Sequence, residues 1–140
     1  MAHETDVVII GGGLVGASLA LALEPLELSI DVLASIPFNH DAQLSFDERT
    51  IALTFSSRRV FEAIGIWSEI ATDACPIHSI HVSDQGHFGS THLDRNLINT
   101  DALGYVVPSR ALGHALLNRL QNSITTVSYT HLTLPTTPYV

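Results

Sequence analysis

The first clear hydrophobic pattern in the chain is a short apolar run that ends in glycine. Residues 7–10 read Val-Val-Ile-Ile, which is typical of a strand buried on both faces of a parallel sheet. Residues 14–23 are small or straight-chain and apolar, which predicts a helix. A second apolar run over residues 28–33 predicts a parallel strand, so the chain is expected to begin with a β-α-β unit.

The next part of the chain changes from loop to helix. Residues 35–48 contain proline, asparagine, aspartate and serine at intervals and are predicted to form a loop. A helix is predicted from about Ser56, and Gly65 suits the position just past its end. The apolar residues at helical spacing, which should face the core, are Val60, Phe61, Ile64 and Trp67.

Strand-like alternation returns after Pro76. It flanks the turn signal at residues 84–86 and predicts an antiparallel hairpin. Residues 104–108 predict another strand, leading to an amphipathic helix that Ser109 should cap. The apolar face of that helix contains Leu112, Ala115, Leu116 and Leu120. Residues 124–127 are a candidate for one more strand. The predicted class is α/β: the N-terminal part of a Rossmann-like nucleotide-binding domain with an inserted hairpin.

Three glycines between the first strand and helix have the spacing G-x-G-x-x-G. Gly11 permits the tight turn, Gly13 lets the backbone approach a pyrophosphate, and Gly16 lets helix and strand pack closely. Phosphates would lie on the helix N-terminus, where free N–H groups and the helix dipole favour an anion. The strand-to-helix context makes dinucleotide binding the favoured interpretation, and a glycine-rich turn in another α/β protein is the alternative.

The end of the second strand departs from this fingerprint. Dinucleotide-binding domains commonly have an acid there that holds the ribose hydroxyls, but this chain has Ala34. Asp31 lies an odd number of residues away and should face the other side of the sheet. Ser35 is a partial substitute.

Several arginines are candidates for anion contacts. Arg49 follows two acids, so it forms either an exposed charge cluster or a contact to a cofactor phosphate. Arg58 and Arg59 lie in the first turn of a predicted helix, where the dipole disfavours cations, and Arg110 has the same position in the next helix. Each is either exposed or turned toward an anion.

Composition narrows the function classes. The 140 residues have a net charge of −8 and no lysine, which argues against nucleic acid or an anionic membrane as a general partner. Cys75 is the only cysteine, which fits a reducing cytoplasm. Four histidines lie in or near the hairpin (His78, His81, His87 and His92). No metal site is predicted, because neither a cysteine pair nor a helical His-Glu motif accompanies them.

Four segments resemble the FAD-dependent hydroxylases of ubiquinone biosynthesis: residues 7–16, 46–53, 80–89 and 104–107. Asp-x-Arg-x-x-Ala-Leu at 47–53 and Val-Ser-Asp-x-Gly-His-x-Gly at 82–89 are far more specific than the glycine loop. Within the family, the likeness is greatest to the enzymes that hydroxylate 2-polyprenyl-6-methoxyphenol. The resemblance covers nearly all of residues 5–126.

The resemblance implies an FAD-binding domain of an aromatic-ring monooxygenase, in which NAD(P)H reduces FAD and oxygen then reacts to hydroxylate a polyprenylated phenol. It implies cofactor-binding roles for Gly11, Gly13, Leu14, Val15, Gly16, Arg49 and Arg110. Ala34, beside Ser35, stands where the family has an acid. No catalytic side chain is assigned. The implied location is cytoplasmic, and peripheral contact of the full-length enzyme with the inner membrane or a biosynthetic complex is left open.

The predicted domain division is a partial FAD-binding domain at residues 1–126 and a non-native tail at 127–140. The tail has no acidic or basic residue but four threonines and two prolines, and it resembles translated sequencing-adaptor read-through. Family members continue well past residue 127, so we expect this chain by itself to be poorly stable and not a competent hydroxylase.

Three alternatives stay open. One is a sister hydroxylase that acts at another ring position in the same pathway. Another is a nicotinamide-dependent dehydrogenase domain, which would show a helix–strand repeat after residue 35 rather than a hairpin. The third is an inactive nucleotide-binding module.

Overall fold

A computed structural model describes residues 4–34, 49–123 and 126–129. The described strands are β1 (Val7–Ile10), β2 (Ile30–Leu33), β3 (Thr50–Thr54), β4 (Cys75–Ile77), β5 (Ser79–Ser83), β6 (Ser90–Asp94), β7 (Gly104–Pro108) and β8 (Thr126–Tyr129). The described α-helices are α1 (Leu14–Leu23), α2 (Phe55–Ala63), α3 (Trp67–Ile70) and α4 (Ser109–Gln121). Short 3₁₀ helices cover Glu24–Leu26 and Arg95–Leu97.

The chain divides into two compact units. Met1–Phe46 and Gly113–Val140 form the first, and Asp47–Leu112 form the second. The first unit therefore consists of two separate segments of chain, with the second unit between them in sequence. The boundary at Leu112 falls within α4.

The first unit contains a three-stranded parallel sheet in the order β1-β2-β8. The predicted β-α-β unit is confirmed, although β2 begins at Ile30 rather than at residue 28. Burial of β1 on both faces was wrong: Ile9 is buried, but Val8 and Ile10 are 54% and 82% exposed. The reason is that nothing among the described residues covers the second face of β1.

The second unit contains an antiparallel sheet in the order β3-β7-β4 and, separately, the β5–β6 hairpin. The hairpin encloses the predicted turn. Helix α2 ends as predicted, with Gly65 at φ +80° just beyond it. The predicted core face of α2 was partly wrong, because Phe61 is buried whereas Val60 is 49% exposed, and Trp67 starts the separate helix α3.

Helix α4 buries the predicted apolar residues, namely Leu112, Ala115, Leu116 and Leu120. It begins at Ser109 itself, so Ser109 is its first residue rather than the cap before it. Strand β8 runs to Tyr129 and pairs with β2 in parallel, and the division between residues 126 and 127 stays a prediction. Residues 130–140 and the predicted loop at 35–48 lie outside the described residues.

Candidate nucleotide-binding site

Backbone hydrogen bonds hold the turn from β1 to α1 in place. Gly11 adopts φ +110°, a conformation that side-chain-bearing residues rarely take. Its N–H donates to the carbonyl oxygen of Leu33 at 2.8 Å, which fixes the turn to the end of β2. The helix starts directly after it, and Ala17 N–H donates to the Gly13 carbonyl oxygen at 2.9 Å.

Gly16 is the point of closest approach between helix and turn. A Cβ at this position would overlap the carbonyl oxygen of Gly11 and lie 3.3 Å from Cγ2 of Ile9. Only glycine lets α1 pack this tightly on the strand that precedes it. The turn geometry therefore depends on the absence of a side chain at residue 16.

The N-terminus of α1 is bare. Gly13 occupies the N-cap position at φ −75° and ψ −169°, without a side-chain cap, and no acidic residue lies in the first turn. A Cβ added to Gly13 would have no neighbour within 4 Å, so the space in front of the helix is open. The first N–H groups of an α-helix have no partner within the helix, so these donors are available to an anion.

An apolar surface surrounds this bare helix start. A pocket of about 450 Å³ is lined by Ile9, Ile10, Gly11, Gly13, Leu14, Val15, Gly16 and Leu19. Ile10 and Val15 are 82% and 83% exposed. The combination of polar backbone donors with apolar side chains suits a nucleotide, which carries charged phosphates next to flat apolar rings.

The end of β2 offers no carboxylate to a ribose at the expected position. Ala34 is buried, at 5% exposure. Asp31 is also buried, and one of its carboxylate oxygens accepts a hydrogen bond from the Thr5 hydroxyl at 2.6 Å. Ser35 lies outside the described residues.

In the second unit the structure brings together two arginines that are far apart in sequence. Strands β3 and β7 pair with Thr50 opposite Pro108, and Ser109 N–H donates to the Arg49 carbonyl oxygen at 2.8 Å. Arg49 and Arg110 therefore lie at the same end of this ladder, and both are exposed. The predicted site residues thus fall into a group in the first unit and a pair in the second.

The sequence did not predict the role of Arg58. Its guanidinium donates to Glu62 Oε1 at 2.8 Å and to the Tyr105 hydroxyl, and it lies 5.2 Å from the ring centroids of both Trp67 and Tyr105. The two rings meet edge to face at 5.0 Å. The hydrogen bond to Glu62 raises the pKa of Arg58 above its ordinary value, and the interaction with Tyr105 raises it as well. Arg58 therefore holds α2, α3 and β7 together.

Only part of that cluster is visible in the sequence. The spacing of Arg58 and Glu62, four residues apart on a helix, is a recognisable signal for an ion pair. Tyr105 lies on a strand 47 residues away, and only the fold brings it near. Among residues 4–34, 49–123 and 126–129, no group of three or more potential metal ligands occurs. In the same ranges no helix is long and apolar enough to cross a membrane.

A family profile described as the FAD binding domain matches residues 4–133. The chain belongs to this family. The match covers both the glycine loop and the second unit, and it confirms the predicted fold class. The loop fits the group that the family name implies, since an open, uncapped helix start and a glycine-dependent turn are what a pyrophosphate needs.

Two proteins similar to this chain are named as hydroxylases of ubiquinone or its precursors. It is 33% identical over 118 residues to ubiquinone hydroxylase UbiL of Rhodospirillum rubrum, covering 82% of this chain and 27% of that protein. It is 28% identical over 124 residues to 3-demethoxyubiquinol 3-hydroxylase of Escherichia coli, covering 85% and 31%. The predicted resemblance to ubiquinone hydroxylases is thereby confirmed.

Solved structures agree on the fold. The crystal structure of p-nitrophenol 4-monooxygenase PnpA from Pseudomonas putida superposes with a TM-score of 0.71 at 19% identity, over 92% of this chain and 32% of that one. At this identity the likeness concerns the fold only. The chain spans between about a quarter and a third of the length of these relatives.

Proposed function

We propose that this chain is the FAD-binding part of an aromatic-ring monooxygenase that hydroxylates a polyprenylated phenol in ubiquinone biosynthesis. The observation that carries the proposal is the bare N-terminus of α1, where Gly13 leaves open space in front of uncapped N–H groups. The similarity to two ubiquinone-pathway hydroxylases supports the choice of FAD and of the reaction class.

The proposed roles in the glycine loop follow from its geometry. The N–H groups at the start of α1, including those of Leu14 and Val15, donate to the FAD pyrophosphate. Gly13 leaves room for the phosphates to approach the backbone, and Gly11 and Gly16 hold the turn in shape.

The remaining proposed cofactor contacts involve two arginines and the end of β2. Arg49 and Arg110 are further FAD contacts, supported by their exposure and by their common place at one end of the β3–β7 ladder. Ala34 and Ser35 occupy the position of the usual ribose-binding acid. Because Ala34 has no polar side chain, any ribose hydrogen bond there must come from Ser35 or from the backbone.

Bound FAD supplies the redox chemistry, with NAD(P)H as the reductant and oxygen as the second substrate. The residues of this chain bind and orient the cofactor, and we assign none of them a catalytic role. For the whole protein we propose a cytoplasmic location, with peripheral contact to the inner membrane or to a ubiquinone-biosynthesis complex. A sister hydroxylase acting at another ring position fits the same observations.

A second candidate function is nucleotide binding without hydroxylation. It is favoured by the fact that the chain spans only 27% and 31% of the two curated relatives, while no catalytic side chain is assigned within it. Hydroxylation of a prenylated phenol by the purified chain would exclude this candidate.

Ligand competition tests the FAD proposal directly. Binding of FAD to the purified chain is followed by quenching of flavin fluorescence, with ADP and riboflavin as competitors. ADP should displace FAD because it carries the same phosphates, whereas riboflavin should not, because it has none. If riboflavin binds as tightly as FAD, the pyrophosphate is not the anchor and the proposed role of the glycine loop is wrong.

A further inference from the structure

The β5–β6 hairpin places two histidines directly opposite each other. His81 pairs with His92 in the antiparallel register, and their ring centroids are 6.5 Å apart. The hairpin register thus brings together two histidines that belong to different strands.

The position of this pair in the ladder brings the side chains close. Just outside the hairpin, Arg95 N–H donates to the His78 carbonyl oxygen at 3.0 Å. Hydrogen-bonded and non-hydrogen-bonded pairs alternate along an antiparallel ladder, which makes His81–His92 a non-hydrogen-bonded pair. Cβ atoms approach most closely in such pairs, so the backbone places the two imidazole rings near each other.

Both imidazoles are accessible on one face of the hairpin. Every residue of β5 is exposed, and so is His92 on β6. The same face contains two further cross-strand pairs, Ser79 with Asp94 and Ser83 with Ser90. A carboxylate and hydroxyl groups flank the histidines, and neither excludes a cation.

We propose that His81 and His92 form a two-imidazole site for a divalent transition-metal ion. Neutral imidazole nitrogen is a preferred ligand of Cu²⁺, Ni²⁺ and Zn²⁺, and ligand–metal distances are about 2.0–2.1 Å. Both side chains are exposed, so neighbouring residues do not prevent their rings from turning toward a shared ion. Water completes the coordination, because the described residues hold no third histidine, cysteine or acid in a cluster with them.

The chemistry of the ligands fixes the order of affinities. Cu²⁺ should bind more tightly than Ni²⁺ or Zn²⁺, following the general order for nitrogen ligands. Mg²⁺ and Ca²⁺ should not compete, because they prefer oxygen ligands.

Titration of the purified chain with Cu²⁺ by isothermal calorimetry tests the site. His81→Ala and His92→Ala should each weaken binding about tenfold or more, because either change turns a chelate into a single ligand. The double variant should lose more than either single variant but less than the sum of the two single losses, because each single loss already includes the chelate effect. His81→Asn and His92→Asn repeat the test with polar side chains, and circular dichroism checks that each variant keeps the wild-type fold.

His87→Ala is the matched control. His87 belongs to the same hairpin and is exposed, but its Nδ1 lies 2.9 Å from Asp84 Oδ2. Its removal should leave Cu²⁺ affinity unchanged. The site is refuted if His81→Ala or His92→Ala binds like wild type, if their effects add as for independent ligands, or if His87→Ala weakens binding equally.

Discussion

Helix α1 follows β1 through the glycine turn and helix α2 follows β3 directly, and their first turns are built in opposite ways. At α2, the Thr54 hydroxyl accepts a hydrogen bond from Ser57 N–H at 3.1 Å, so the chain caps its own helix. At α1, Gly13 provides no cap. A capped start is closed to ligands, whereas an uncapped and accessible start has donors to offer.

The two helix starts also differ in what surrounds them. The first turn of α2 contains Arg58, whose charge is satisfied by Glu62 and by two aromatic rings. Around the first turn of α1 lie glycine backbone and exposed apolar side chains. At α1 the missing cap leaves backbone donors accessible, whereas at α2 the side chains around the first turn bond to one another.

The largest expected effect comes from filling the closest contact at α1. Gly16→Ala places a methyl group on the Gly11 carbonyl oxygen. Overpacking of this kind costs about 1–3 kcal/mol, which exceeds the gain of about 0.5–1 kcal/mol from replacing a helical glycine. We expect FAD affinity to fall more than tenfold and thermal stability to decrease.

Gly13→Ala is the control for that change, because a Cβ at Gly13 meets no atom within 4 Å. It should fold like the wild type. A Gly16→Ala variant with the thermal stability and FAD affinity of the wild type would show that the tight packing at Gly16 does not matter for binding.

Gly13→Asp should move stability and binding in opposite directions. Aspartate is a good N-cap, and it should stabilise α1 by a few tenths of a kcal/mol. Its negative charge would occupy the phosphate position, so we expect FAD affinity to fall about tenfold or more, measured by fluorescence titration at low salt. Gly13→Asn caps the helix without the charge and should reduce affinity less. A Gly13→Asp variant that binds FAD normally would contradict an anion site at this helix.

Arg58→Ala should destabilise the second unit by about 1–2 kcal/mol, since it removes a cation–π contact and leaves Tyr105 and Glu62 without their partner. Arg58→Lys keeps the charge but loses the planar fork and should fall between the alanine variant and wild type. Urea unfolding measures both. If Arg58→Lys and Arg58→Ala are both as stable as the wild type, the Arg58 cluster contributes nothing to the stability of the second unit.

The smallest effect is expected for the cap of α2. Thr54→Ala should cost about 1 kcal/mol in urea unfolding, whereas Thr54→Ser, which keeps the hydroxyl, should cost much less. Neither change should alter FAD affinity, because Thr54 caps α2 and the proposed FAD contacts of the helix N–H groups are at α1. A loss of FAD binding in Thr54→Ala at unchanged stability would contradict the conclusion that only the start of α1 is open to the ligand.

Local patterns were enough to predict much of this fold. The run at Val7–Ile10, the helix Leu14–Leu23 and the strand Gly104–Pro108 all occur with the predicted bounds. Their signals lie within a few neighbouring residues: an apolar run, a glycine, or a shift in period. The glycine loop could also be predicted from neighbouring residues, because its geometry depends on the backbone conformation at Gly11 and on the space at Gly16.

Features that depend on residues distant in sequence could not be predicted in this way. Val60 has the spacing of a core residue, but the packing of α2 leaves it half exposed. Tyr105 reaches Arg58 only through the β3–β7 ladder, and His81 meets His92 only through the hairpin register. Single-sequence periodicity tells which side of an element is apolar, but not which other element will cover that side.

The pairing of β2 with β8 has a consequence for how the protein is made. Ile30 and Thr126 are register partners although about a hundred residues separate them. A ribosome delivers the whole of the second unit before it delivers β8, so that unit can fold while the first sheet still lacks its third strand. The glycine turn therefore belongs to a unit whose sheet gains strand β8 only after the second unit has been synthesised, and bringing these distant strands together carries the greater loop-closure cost.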